Sequence, residues 1–173
     1  MTDLSMVYHI SKRECYSSLW TTIDAINGHP QFAITFPTDV ADLREIELEF
    51  AKQHERRYGS FSWRRNVGAI DGIDISQRNP GKAVNNPMRY HVQRKGGFEL
   101  LCIAICDAHR RFLYYDTSHE ARSHDSLAWK GSALGAKIDS EGLPDGFFLN
   151  GGAAFTCTSS MVTPMKDSDF DFY

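Results

Sequence analysis

The sequence predicts an α/β fold of the α+β kind, a mixed sheet with flanking helices and further helices at the N-terminus. Three observations carry that expectation. Apolar residues recur at helical spacing in two stretches before residue 60. Runs rich in β-branched and aromatic residues then fall between Val67 and Asp116, followed by a single helical stretch and one more short apolar run. Finally, 173 residues with 42% hydrophobic and 24% charged side chains suit one domain with a small helical attachment and enough apolar mass for a core.

In chain order, Ser11-Lys12-Arg13-Glu14 is a capping box, in which serine and glutamate satisfy the orphan amides of a first helical turn. Tyr16, Leu19, Ile23 and Ile26 continue it at helical spacing, and Gly28 with Pro30 ends it. Its polar, basic start could enter a DNA groove as the second helix of a helix-turn-helix, but packing against a core is the simpler expectation. A second helix starts at Phe36-Pro37-Thr38-Asp39, with Thr38 as N-cap and Asp39 facing the positive end of the dipole. Val40, Leu43, Ile46 and Phe50 form its buried stripe, Glu45, Glu47, Glu49 and Lys52 its solvated face, and it ends near Tyr58-Gly59.

Val67-Gly68-Ala69-Ile70-Asp71-Gly72-Ile73-Asp74-Ile75 reads as a buried, central strand holding two carboxylates. An unpaired carboxylate there is costly, so Asp71 either accepts hydrogen bonds near Gly72 or holds a metal ion. Ser76 to Tyr90 is a loop. Phe98 to Asp107 is a second central strand, Ala108-His109-Arg110-Arg111 a turn, and Phe112 to Asp116 the antiparallel partner. Asp107 is expected to accept hydrogen bonds in that turn. A helix from about Ser123 to Leu134 and a strand from Gly146 to Asn150 complete the pattern.

Charge is uneven along the chain. Between Arg56 and Lys95 nine basic side chains face two acids, a local excess of seven in a protein of net charge −3. Arg64, Arg65, Arg78, Lys82, Arg94 and Lys95 are the candidates for phosphate contact, against the plainer reading of a solvated loop. No apolar run approaches the length of a membrane span and Met1-Thr2-Asp3 starts no signal pattern, so a soluble intracellular protein is expected. Cys15, Cys102, Cys106 and Cys157 lack metal or disulfide spacing and read as buried thiols.

Other catalytic patterns fail on geometry. The histidines of His119-Glu120-Ala121-Arg122-Ser123-His124 are five apart and diverge on a helix. Gly81-Lys82 lacks the earlier glycine of a phosphate-binding loop, and Ser132 in Gly131-Ser132-Ala133-Leu134-Gly135 is one place early for a nucleophile elbow.

Five motifs in one order remain: Val67-Gly68-Ala69-Ile70-Asp71-Gly72, Arg94-Lys95-Gly96, Ala104-Ile105-Cys106-Asp107-Ala108, Ser123-His124-Asp125-Ser126, and Leu143-Pro144-Asp145-Gly146-Phe147-Phe148-Leu149. Together they resemble a DDE superfamily endonuclease of the Harbinger transposase type, from about Ile34 to Met165. The resemblance implies an RNase H-like fold, here C-terminally truncated, with nuclear DNA as substrate and divalent Mg²⁺ or Mn²⁺ held by acidic residues. It implies a helical segment over residues 1–59, a remnant of a helix-turn-helix, then a partial endonuclease domain over 60–165 and an acidic tail over 166–173. The missing final strand and helix should leave apolar surface exposed.

Cleaving a phosphodiester with two hard metal ions needs several converging carboxylates. By the resemblance Asp71 is the first catalytic, metal-binding aspartate. Gly152 of Asn150-Gly151-Gly152-Ala153-Ala154-Phe155 stands where the second belongs, and the third acid, a glutamate, has no counterpart before Tyr173. Asn150 shares the face of Gly152 but is a neutral amide. Asp125 is a second candidate metal ligand, against the plainer reading of a first-turn helix aspartate. The expectation is therefore a degenerate, inactive nuclease that binds DNA weakly and without sequence preference, or a non-catalytic relic that binds DNA or a protein partner.

Overall fold

A computed structural model of the chain describes residues 6–59 and 63–165, and the expected acidic tail over 166–173 lies outside them. The chain forms two compact units, Met1–Thr35 and Phe36–Tyr173. The division falls before the second helix, not after residue 59, because that helix packs on the strand that follows it.

In the first unit, α1 (Lys12–Asn27) has the anticipated capping box, with Ser11 Oγ accepting from the Glu14 amide and Glu14 Oε2 accepting from the Ser11 amide at 2.8 Å. Its stripe does not form a core: α1 buries no residue, and Tyr16, Leu19 and Ile26 are exposed. Periodicity made the helix amphipathic, but a unit of this size offers little apolar surface for the stripe to close on.

The second unit begins with α2 (Val40–Tyr58). Its N-cap is Asp39 and not Thr38, since Asp39 Oδ1 accepts from the Ala41 amide at 2.7 Å. It ends at Gly59, whose φ of 70° is a left-handed conformation that favours glycine. Leu43 is fully buried, with Val40 and Ile46 packed beside it. Glu47, expected in solvent, is largely covered and accepts from the Arg65 amide at 2.9 Å.

Among the described residues, six strands form one mixed sheet: β1 (Asn66–Gln77), β2 (His91–Val92), β3 (Gly97–Cys106), β4 (Phe112–Asp116), β5 (Phe148–Gly151) and β6 (Met161–Val162). Their order is β2-β3-β1-β5-β6, with β4 also on β3. β1 is central as expected, antiparallel to β3 and parallel to β5, and β3 pairs antiparallel with β4. β2 and β6 were not anticipated, being two residues each and too short to carry a period.

The single helix expected over Ser123 to Leu134 is two helices, α3 (Asp125–Gly131) and α4 (Ala133–Glu141). Ser132 is extended between them. Its Oγ donates to the Trp129 carbonyl at 2.7 Å and accepts from the Gly135 amide at 3.1 Å, capping α4 where α3 stops. Side-chain alternation then divides the sheet into two faces. Ile70, Leu101, Ile103 and Ile105 join Leu43, Ala128, Trp129, Ile138, Phe147 and Leu149 in one core cluster. The alternate positions Asp71, Ile73 and Ile75 are exposed.

Candidate active site

Asp71 lies in mid-β1, paired with Ala104 of β3. Its Oδ1 accepts from the Gly72 amide at 2.9 Å, the local bond expected of an aspartate next to glycine. On its other side the parallel register pairs Ala69 with Asn150 and Ile70 with Gly151, which carries Gly152 alongside Asp71. A Cβ built on Gly152 would stand 4.0 Å from Asp71 Oδ1, an ordinary contact distance. The position taken by the resemblance for a second acid is therefore the one from which a side chain would meet Asp71. Around them is a cavity of about 440 Å³ lined by Trp63, Ile73, Ala104, Cys106, Phe112, Asn150 and Pro164 among others. Burial pushes the Cys106 thiol up, Asp107 adding to it against Arg110, so this cysteine is no ready nucleophile.

Asp125 sits elsewhere. As the first residue of α3, after the His124 N-cap, its carboxylate lies over Gly72, where a Cβ would be only 2.5 Å from Asp125 Cγ. Adjacent strand residues point to opposite faces, so Asp71 and Asp125 lie on opposite sides of β1. Asp125 shares its side with Asp74, and both line a separate cavity of about 380 Å³ with Arg94, Arg122 and Ser123. Burial first, then the charges of Asp71 and Asp74, hold the Asp125 carboxyl above the usual range, against His124 and Arg94. The sequence did contain a signal for this approach: a glycine inside a β-branched strand marks close contact with another element.

Asp107 is the turn acceptor expected of it, taking the His109 and Arg111 amides at 2.8 and 2.9 Å and Arg111 Nε at 2.7 Å. Among the described residues no group of three or more His, Cys, Asp or Glu side chains is arranged to hold a metal ion. The donor set near Asp71 also fits a divalent ion poorly, because Gly152 brings no carboxylate and Asp125 lies over Gly72, in the lining of a different cavity.

The basic candidates fall in separate places. Arg64 and Arg65 precede β1, while Arg78 and Lys82 follow it, so β1 itself separates them by roughly 40 Å. The Arg65 guanidinium lies 6.0 Å from the Phe147 ring centroid. Arg94 and Lys95 form the turn before β3, and both reach Asp74 Oδ2, at 3.3 and 2.8 Å. Lys95 also meets the buried Glu99 at 3.1 Å, and these bonds raise its pKa. No described helix is long and apolar enough to cross a membrane.

The pattern of the DDE superfamily endonucleases matches residues 70–171. Over 165 residues the chain is 26% identical to the proteins named "Putative nuclease HARBI1" of Rattus norvegicus and Mus musculus, and 24% to that of Homo sapiens. Each match covers 95% of this chain and 43% of the relative, so the chain spans less than half the length of the curated relatives it matches. No solved structure matches it at a significant level.

Proposed function

The chain belongs to the DDE superfamily endonucleases, and on that premise we propose that it is a Harbinger-type, transposase-derived nuclease module that contacts DNA in the nucleus weakly and without sequence preference. Its cleavage site is degenerate. The observation that carries this reading is the register beside Asp71: a Cβ at position 152 would stand 4.0 Å from Asp71 Oδ1, and the glycine there presents no side chain. The family's chemistry uses Mg²⁺ or Mn²⁺ between converging acids, and losing one such ligand removes both ion affinity and stabilisation of developing charge. Single groups of this kind are worth about 3 kcal/mol or more.

The test is cleavage of supercoiled DNA in Mg²⁺ or Mn²⁺ by the chain as given, with Asp71→Asn as control. No nicking above the control is expected. Metal-dependent nicking that Asp71→Asn abolishes would overturn the reading and mean that another residue supplies the second acid.

DNA contact rests on Arg64, Arg65, Arg78, Lys82, Arg94 and Lys95. A second reading, a relic that serves as a protein-interaction module, is favoured by one observation: Asp74 already holds Arg94 and Lys95. A salt titration separates the two. Phosphate contacts make log affinity fall linearly with log salt, with a slope of about −5 if all six residues engage. Binding that is absent at low salt, or indifferent to salt, favours the interaction module.

A further inference from the structure

We propose that the cleft around Asp71 takes an organic cation, an ammonium or guanidinium group on an aliphatic stem, in place of a divalent metal ion. The inference rests on the reading of Gly152 given above and names what the altered cleft would bind.

Among the described residues that line the cleft, Asp71 is the one carboxylate. Asp71 is exposed, its Oδ1 accepts from the neighbouring Gly72 amide, and among the described residues no Lys, Arg or His forms an ion pair with it. One carboxylate balances a monovalent cation. A divalent ion bound here would meet no carboxylate at position 152, and Mg²⁺ gives up its water shell reluctantly.

The walls argue the same way. Trp63, Ile73, Phe112 and Pro164 line the cleft with apolar surface, and Ala104 and Gly152 leave room beside the carboxylate. At about 440 Å³ the volume lies in the range of small-molecule sites. A hydrated metal ion gains nothing from such walls, whereas an aliphatic stem is desolvated by them. Trp63 and Phe112, 39% and 53% exposed, put aromatic surface, which attracts cations, into the lining of the cleft. Asn150 adds an amide at the same rim. A lysine or arginine side chain of a peptide and a free alkylamine share this chemistry.

The full chain is titrated with n-hexylammonium, Nα-acetylarginine amide, 1-hexanol and Mg²⁺, following the Trp63 indole N–H by NMR after assignment with Trp63→Phe. Both cations should shift that signal saturably, the neutral alcohol should not, and Mg²⁺ should fail to displace them. Asp71→Asn should weaken cation binding by about fivefold or more, the loss of one partly desolvated ion pair. The tighter of the two cations names the source, peptide side chain or free amine, and either result supports the site. Gly152→Asp provides a second variant: with two carboxylates side by side, Mg²⁺ should now compete with the amine. Hexanol binding as tightly as hexylammonium, or cation binding unaltered in Asp71→Asn, would overturn the inference while leaving the degenerate-nuclease reading in place. Asp71-dependent nicking by the unaltered chain would instead remove the premise of both.

Discussion

The two faces of the sheet are built from the same strands and yet differ in almost every property. On one, Ile70, Ile103 and Ile105 close on the helices and are at most 2% exposed. On the other, Ile73, Ile75, Phe112 and Tyr115 are 46 to 55% exposed. Each face also carries an aspartate set against a glycine: Asp125 presses on Gly72 on the closed face, and Asp71 looks across at Gly152 on the open one. In the closed pair the carboxylate fills the place a Cβ on the glycine would take, whereas the open pair is separated by a gap. Covering a sheet face turns a glycine into a packing requirement, and leaving it open makes the glycine a space available to a ligand.

The largest effect that would test this contrast is truncation on each face. Ile103→Ala should cost about 2–5 kcal/mol, because a buried methylene cluster is lost and a cavity is left. Ile73→Ala should cost under about 1 kcal/mol. Urea unfolding of the two variants measures the difference, and equal costs would mean that the open face is covered in solution.

A middle-sized effect separates the two glycines. Gly72→Ala places a Cβ 2.5 Å from Asp125 Cγ, and the repacking should cost about 1–2 kcal/mol. Gly152→Ala meets only ordinary contacts and should stay within about 0.5 kcal/mol. In a double-mutant cycle Asp125→Ala should relieve most of the Gly72→Ala cost. Simple additivity would show that the steric clash lies elsewhere.

The smallest effect is electrostatic. The Asp125 pKa is raised in the folded chain, so its charged form is disfavoured there relative to the unfolded chain. This destabilisation is fully present above the raised value and is relieved as pH falls through it towards the ordinary 3.8. Asp125→Asn should therefore stabilise the protein modestly at neutral pH, with the gain shrinking on acidification. A gain that is constant with pH would assign the effect to packing.

Much of the fold was legible because its long elements carry their own period. β1, β3 and the turn to β4 follow from Val67 to Asp116, and Asp107 could be read as the acceptor of that turn. The two-residue strands β2 and β6 exist only because a neighbour offers an edge, which local composition does not encode. The break between α3 and α4 was missed because the apolar residues run on past Ser132, although Gly131-Ser132 is a weak helix pair followed by a good N-cap. At the candidate site, motif order singled out Asp71 and Gly152, but their juxtaposition depends on register between strands far apart in sequence. The approach of Asp125 to Gly72 depends on tertiary packing.

The parallel pairing of β1 with β5 also sets when the cleft can exist. β1, β3 and β4 meet through antiparallel neighbours close in sequence, while β5 reaches β1 only after a return of about 80 residues. Closing that long loop is slow, so the Asp71–Gly152 juxtaposition should be assembled late in folding. Pulse-labelled hydrogen exchange should find the β1–β3 amides protected before those of Leu149 to Gly151, and simultaneous protection would contradict it. A nascent or partly unfolded chain would then possess its core sheet before it possesses a cleft, making occupation of the cleft a report on complete folding.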